Sequence, residues 1–375
     1  MRIVIGIPSL NESDSIANVT HQADIGASRV AEKFHLEQSL IINADSNSID
    51  NTSDVFLKTE TRAKKISLQP EGAPGKGANI LALISAAISH KAYALILLDA
   101  DVVSVTPEWI ESFLEPIFSK HADFVAPIYA RNRFEGSTTN HFAFPLMWGY
   151  FGVPVRQPIA GDFALGQSFL NHLAAQRRTE KIRGYGIDIF LTIHAAAGNF
   201  NIHQIELGLK KHKPSFSKLT HMFPEVAASA FDLIRSQAPR PPHDRLPSLP
   251  CSIDDTQPFT HYEEAQELFR EMRGHAIELL PEYVSYVYEK QARKLSEEIH
   301  SESPALTGKI WSELLAGWLL SPHGAEHLLP AFACRTVTFW NACKNLHSAA
   351  VEREVIYQAE LVQAAIRRRV VDECV

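Results

Sequence analysis

Ala94-Leu95-Ile96-Leu97-Leu98-Asp99-Ala100-Asp101 is the stretch on which the fold is read. The apolar run Ala94 to Leu98 has the length and composition of a strand buried on both faces, and it leads directly into two carboxylates separated by one alanine. In an open α/β sheet, ligands gather outside the carboxyl ends of the strands. Asp99 and Asp101 therefore stand where a hard divalent cation such as Mg²⁺ or Mn²⁺ is held against a phosphate. An aspartate after a strand also serves as a turn former or helix cap. Here Thr106-Pro107-Glu108-Trp109 is a helix start in its own right, with Thr106 as N-cap and Pro107 in the first helical position. Capping is thus provided for, and the two aspartates are left without a structural task.

Upstream, Arg2 to Ile7 reads as the first strand and Pro8-Ser9-Leu10-Asn11-Glu12 as the loop at its carboxyl end. Asn11 or Ser13 is a candidate cap for the helix that follows, and Glu12 is the candidate ligand-binding residue. A second strand, Ser39 to Asn43, leads into Asp45-Ser46-Asn47-Ser48-Ile49-Asp50-Asn51-Thr52, dense in side chains that bond backbone or ligand hydroxyls. After a strand at Lys65 to Gln69, Gly72-Ala73-Pro74-Gly75-Lys76-Gly77 opens a helix running to about Ser89. Glycines flanking a lysine at a helix start let the backbone approach a phosphate while the ammonium and helix dipole add charge. The GxxxxGK[ST] spacing of a P-loop is absent. A solvated lysine at a helix start is the equal alternative for Lys76.

Downstream, a helix from Pro107 to about Ser119 and a strand from Asp123 to Tyr129 complete an alternation that indicates a doubly wound, largely parallel sheet. Arg131-Asn132-Arg133 follows that strand, and its guanidinium groups could grip an acidic acceptor bidentately or lie solvated at the surface. Gln157-Pro158-Ile159-Ala160-Gly161-Asp162 is a tight loop ending in a carboxylate. Gly184-Tyr185-Gly186-Ile187-Asp188 starts a helix that Gly198 ends, with Asp188 suited to the first turn. A last strand, Asn201 to Leu207, precedes Gly208-Leu209-Lys210-Lys211-His212-Lys213-Pro214. His212 there is a candidate third metal ligand, or one more polar residue of an exposed basic turn.

With 375 residues the chain is long enough for two domains, and 45% hydrophobic with 21% charged residues is an ordinary soluble composition. The formal charge of −7 and the absence of a long basic tract argue against nucleic acid or an anionic membrane as partner. Cys251, Cys334, Cys343 and Cys374 form no CxxC pair, which indicates reduced thiols and a cytoplasmic protein. Neither a targeting signal nor a transmembrane segment is expected. Five prolines between Ser236 and Pro250 break all periodicity, so residues 236–252 read as a linker or wrapping segment between a domain 1–235 and a helical region 253–375. Ile310, Leu314, Leu315, Trp318 and Leu319 share one helix face, and Val337 to Arg369 is a long helix-forming stretch. Those apolar stripes are core or a subunit interface, the latter allowing a homo-oligomer through the C-terminal helices.

Taken in order, the motifs resemble the GT-A fold of nucleotide-sugar-dependent glycosyltransferases. Pro8-Ser9-Leu10-Asn11-Glu12 resembles the Pro-x-x-Asn-Glu opening of the family-2-like enzymes. Residues 45–52 match their Asp-Ser-x-Ser-x-Asp-x-Thr nucleotide loop, Gly75-Lys76-Gly77 their Gly-Lys-Gly, and Asp99-Ala100-Asp101 their metal motif. The chain is most similar to the retaining families of mannosylglycerate synthase and glucosyl-3-phosphoglycerate synthase, through Tyr129 with Arg131 and Arg133, Gln157-Pro158, Gly184 to Asp188, and Leu207-Gly208 followed by His212. Where those families carry Gly-Gly-Glu, this chain has Ala160-Gly161-Asp162.

The resemblance implies metal-dependent transfer of a hexose from a UDP- or GDP-linked sugar to a small acidic hydroxyl acceptor such as glycerate or phosphoglycerate, with retention. It implies donor contacts from Pro8, Leu10, Glu12, Asp45, Ser46, Lys76, Asp99 and Ala100. Asp99, Asp101 and His212 would hold Mn²⁺ or Mg²⁺, Asp188 and Lys76 would be catalytic, and Arg131, Arg133, Gly161 and Asp162 would bind the acceptor.

Overall fold

The structure, a computed structural model, describes residues 1–213, 218–235, 237, 239–240, 246–256, 262–278, 280–281, 293, 296–297, 306–320 and 328–372. The strands β1 (Arg2–Ser9), β2 (Leu40–Asp45), β3 (Lys64–Leu68), β4 (Ala92–Leu97), β5 (Phe124–Ala130), β6 (Phe163–Gly166) and β7 (Ile202–Leu209) form one sheet in the order β3-β2-β1-β4-β6-β5-β7. β1 pairs in parallel with β2 and β4, as does β2 with β3, and the apolar runs of β1, β2 and β4 are buried on both faces. The sheet is mixed and mostly parallel. β6, antiparallel to both β4 and β5, is the departure from the expected pattern, and at four residues it is too short to announce itself by periodicity.

The chain builds outward from β1 to β3 and then returns to the other side of β1 as β4, so the strand order reverses between β1 and β4. At such a switch point the loops leaving the carboxyl ends part and open a crevice. The helices of this half are α1 (Ile16–Lys33), α2 (Thr52–Lys58), α3 (Lys76–Ser89), α4 (Pro107–Lys120), α6 (Gln167–Ala174) and α7 (Ile187–Ala197), with α5 (Phe144–Phe151) intervening in sequence. Thr106 takes the extended N-cap backbone before Pro107, as expected, although its side chain makes no capping bond. The expected cap of α1 is corrected. Ser15 precedes that helix, and Asn11 sits in the left-handed region (φ 57°) with its Oδ1 accepting the Ile49 N–H.

Two compact units emerge, Met1–Tyr129 with Ile159–Ser215, and Ala130–Pro158 with Phe216–Val375. This division differs from the boundary expected at residue 235, because the segment 130–158 belongs with the C-terminal helices. That second unit contains α5, α8 (Leu219–Ile234), α9 (Tyr262–Glu278), α10 (Gly308–Leu320), α11 (Leu328–Cys343) and α12 (Ser348–Asp372). Its core joins Phe144 and Trp148 of α5 to Phe339 and Trp340 of α11 and Val351, Val355 and Ala359 of α12. Leu246 and Ile253 pack in the same core, so the described part of the proline-rich stretch is packed against these helices rather than spanning between bodies; residues 236, 238 and 241–245 lie outside the described residues.

The stripe Ile310, Leu314, Leu315, Trp318 and Leu319 is buried within this unit and is core. The stretch expected as one helix from Val337 to Arg369 is broken between Cys343 and Ser348. No disulfide joins the described cysteines, and Cys374 lies outside the described residues. Among the described residues no helix is long and apolar enough to cross a membrane.

Candidate active site

Where β4 ends, the Asp99 N–H donates to Asp162 Oδ1 at 2.7 Å, which ties the metal-motif loop to the start of β6. The Asp99 carboxylate is bracketed by two ammonium groups, Lys76 Nζ at 2.9 Å from Oδ1 and Lys210 Nζ at 3.2 Å from Oδ2. Lys76 also reaches Asp188 Oδ2 at 3.3 Å. Burial works to raise the Asp99 pKa, but the charges of Lys76 and Lys210 outweigh it and hold the carboxyl well below the usual range. Burial likewise disfavours charge on Lys76, and the carboxylates of Asp188 and Asp99 overcome it, so the ammonium persists. For Asp188 burial wins and its carboxyl is pushed up. Asp188 Oδ1 is buried with no hydrogen-bond partner among the described residues.

α3 and α7 bring Lys76 and Asp188 together through backbone contact. The Ala78 N–H donates to the Arg183 carbonyl at 2.8 Å, and a Cβ on Gly77 would lie 1.9 Å from the Ile182 carbonyl oxygen. The Gly-Lys-Gly glycines, expected to let the backbone approach a phosphate, also have a packing role: the positions their side chains would take are filled by the 182–184 backbone, which carries the chain into α7.

Asp162, expected at the acceptor, is fully buried and committed to scaffolding. Besides the Asp99 N–H it accepts the Tyr129 hydroxyl at 2.6 Å and the Lys210 ammonium at 2.7 Å. Gly161 has φ +90°, and a Cβ there would lie 2.1 Å from Asp99 Oδ2. Glycine at this position is a packing requirement of Asp99.

Asp45 and Ser46, expected at the nucleoside, are buried in a cross-brace between loops. Asp45 accepts from Ser9 Oγ at 2.8 Å and from the Ser48 N–H at 2.8 Å, and Ser46 Oγ donates to Asn79 Oδ1 at 2.9 Å. The Asn11 N–H donates to Ser48 Oγ at 2.7 Å and the Glu12 N–H to Thr52 Oγ1 at 2.9 Å. The polar repeat of residues 45–52 thus shapes the β1 and β2 loops. Pro8 and Ala100 are buried, whereas Leu10 is 49% exposed. Glu12 pairs with Lys213 Nζ at 2.7 Å.

Asp101 accepts the Lys213 N–H at 3.3 Å, and its carboxyl is pushed up to about 6 by burial and by the charge of Asp99. The Nδ1 of His212 lies 2.7 Å from the Lys213 carbonyl. Among the described residues no three His, Cys, Asp or Glu side chains gather into a metal cage, so the expected trio of Asp99, Asp101 and His212 is not preassembled. The physical reason is that both oxygens of Asp99 face lysines. Asp101 still suits a divalent cation: Mg²⁺ and Mn²⁺ are commonly held by one or two carboxylates, with substrate phosphates and water completing the shell.

In the second unit, the Arg133 guanidinium pairs with Asp255 (Nε to Oδ1, 3.0 Å) and donates to the carbonyls of Cys343 at 2.7 Å and Leu346. It braces the turn between α11 and α12, which is where the structure places this residue expected at an acceptor. Arg131 is held through its backbone, its N–H donating to the Ser252 carbonyl at 2.8 Å. A surface depression of about 500 Å³ beside α1, α4 and β7 is lined by residues such as Arg29, Lys33, Glu111 and Glu115, and by none of the candidate residues. Lys210 is the site residue that sequence reasoning missed; its only signal was a place two positions before His212, in what read as an exposed turn.

Comparison with known proteins agrees with this architecture. The sequence model of glycosyl transferase family 2 matches residues 4–177. No curated protein matches the chain. The crystal structure of glucosyl-3-phosphoglycerate synthase from Mycobacterium tuberculosis in complex with phosphoglyceric acid is similar at a TM-score of 0.50 and 23% identity, over 62% of this chain and 79% of that one. The complex of the same enzyme with Mn²⁺, UDP-glucose and phosphoglyceric acid gives a TM-score of 0.50 and 22% identity, over 62% and 79%. At these identities the likeness is one of fold. The family match spans the strands and loops that set Asp99, Lys76 and Asp162, so residues 4–177 carry the sequence pattern of a family 2 glycosyltransferase domain, on a fold like that of these crystal structures.

Proposed function

We propose that this protein transfers a hexosyl group from a UDP- or GDP-linked sugar to a hydroxyl of a small acidic acceptor, of the glycerate or phosphoglycerate kind, with retention. The observation that carries the reading is Asp188, whose Oδ2 is paired with Lys76 while its buried Oδ1 has no protein partner among the described residues. A buried polar oxygen without a partner calls for one, and a hydroxyl of the acceptor or of the sugar supplies it. The M. tuberculosis enzyme of similar fold holds Mn²⁺, UDP-glucose and phosphoglyceric acid, the ligand classes proposed here.

Each residue has a distinct task in this reading. Lys76, held charged by the carboxylates around it, meets the negative charge that develops on the departing diphosphate. Asp101, with His212 recruited on binding, holds a divalent cation, which when bound supplies Lewis-acid stabilisation of the same charge. Leu10 and Glu12 border the nucleoside. Asp188 orients the acceptor hydroxyl on the face from which the diphosphate leaves. The raised pKa of Asp188 also favours a second reading, in which it takes the hydroxyl proton as a general base and the reaction inverts. The anomeric proton of the first-formed product, followed by NMR, separates the two.

The test is incubation with UDP- and GDP-sugars, Mn²⁺ and either acceptor, following nucleoside diphosphate release. Release that disappears in Asp101→Ala is expected. Pyrophosphate formed from a nucleoside triphosphate and a sugar phosphate, or donor binding without turnover, overturns the proposal.

A further inference from the structure

Lys210 lies outside the family match, which ends at residue 177, and its side chain is only 4% exposed. Its ammonium has oxygens around it to match its three N–H donors: Asp162 Oδ2 at 2.7 Å, the Ala160 carbonyl at 2.9 Å and Asp99 Oδ2 at 3.2 Å. The Tyr129 ring centroid is 5.1 Å away. The same Asp99 Oδ2 sits against the α-carbon of Gly161, and Oδ1 is occupied by Lys76. Asp99 is therefore walled in on both oxygens, with one ammonium at each.

We propose that Lys210 is a positioning residue that holds Asp99 as an interior anion and keeps this carboxylate off the divalent cation, which is left to Asp101 and the donor's phosphates. The inference rests on the cation reading above and sharpens it. A dication approaching Asp99 meets two fixed positive charges at hydrogen-bond distance from the oxygens it would take, and at such separations like-charge repulsion inside a protein is substantial. Asp101, two residues on, accepts the Lys213 backbone N–H and carries no lysine ammonium on its oxygens among the described residues. Lys210 thereby selects which aspartate of the Asp-Ala-Asp motif is offered to the cation, while its bonds to Asp162 and Ala160 fix the loop beneath.

The assignment makes an unusual prediction, that removing a buried and fully bonded lysine tightens cation binding. Mn²⁺ uptake is measured by loss of the free-ion electron paramagnetic resonance signal, without donor, for the wild-type chain, Lys210→Met and Lys210→Gln. The glutamine keeps N–H donors for Asp162 and the Ala160 carbonyl and serves if the methionine variant does not fold. The expected result is Mn²⁺ affinity about tenfold tighter in a folded, uncharged variant, from one fewer positive charge and a released carboxylate. Adding Asp99→Asn to that variant should remove the gain, while nucleoside diphosphate release falls in all of them. Uptake by the wild type with equal or weaker uptake by the folded variants overturns the assignment of Lys210 and leaves the cation reading intact. Tightening that survives Asp99→Asn overturns it as well. No uptake by any of the chains, with or without UDP, overturns the cation reading itself and this inference with it.

Discussion

Asp99 and Asp162 are the same residue type at neighbouring strand ends, yet Asp162 is fully buried under three donors while the Asp99 side chain is 20% exposed between two ammonium groups. Chemistry alone does not separate them; their depth does. The hinge between the two is Gly161, where a side chain is opposed both by the positive φ and by Asp99 Oδ2. Gly161→Ala should lower stability by about 1–3 kcal/mol, read as a shifted urea midpoint with unchanged slope. A midpoint equal to that of the wild type would mean that Asp99 is free to turn away, against the bracket described here.

At the scale of elements, the Gly-Lys-Gly segment has a packing role that its motif does not announce. Its lysine reaches the site, but its glycines make room for another piece of main chain. A carbonyl and a helix backbone in contact cannot relax by changing rotamers. Gly77→Ala should therefore cost about 2–3 kcal/mol and part Lys76 from Asp188; its activity should fall by more than its melting temperature accounts for. Wild-type turnover in a folded Gly77→Ala protein would show that the approach of α3 to the 182–184 segment is not needed.

The helices of the second unit depend in turn on a buried ion pair, Arg156 Nε to Glu352 Oε1 at 2.7 Å, with Ser252 Oγ on Glu352 Oε2 at 3.0 Å. Removing one partner strands the other charge. Glu352→Gln should destabilise by about 3–5 kcal/mol in chemical denaturation, and a replacement of both partners by apolar residues should cost less than that single change.

For the molecule as a whole, acid is the expected weakness. His194 of α7, 3.2 Å from His172 of α6, is lowered to about 4 by burial and by its neighbour's charge, and His172 is lowered by burial. The unfolded chain binds a proton near the ordinary value of about 6.5, whereas the folded chain resists it. The contribution of His194 is therefore complete above about pH 6.5 and is lost as pH falls toward 4, amounting to about 2 kcal/mol after allowing for partial exposure. Urea midpoints of the wild type should fall across that window, and His194→Gln should show a shallower fall. An equal slope in the two proteins would assign the acid sensitivity elsewhere.

The sequence by itself determined the mostly parallel sheet, the placement of Lys76, Asp99 and Asp101 at strand and helix ends, and the helix that Asp188 begins. Buried strands and helix starts are local patterns of apolar period and backbone preference, legible within a dozen residues. Only the tertiary structure decided that 130–158 belongs with the C-terminal helices, that Arg133 braces a turn, and that Asp45, Ser46 and Asp162 lie inside the scaffold. It alone turned Lys210 from a solvent-facing lysine into the partner of Asp99. The physical reason is that a charge is defined by what surrounds it, and those surroundings come from residues as distant in sequence as 99, 162 and 210, brought together only when the sheet closes over them.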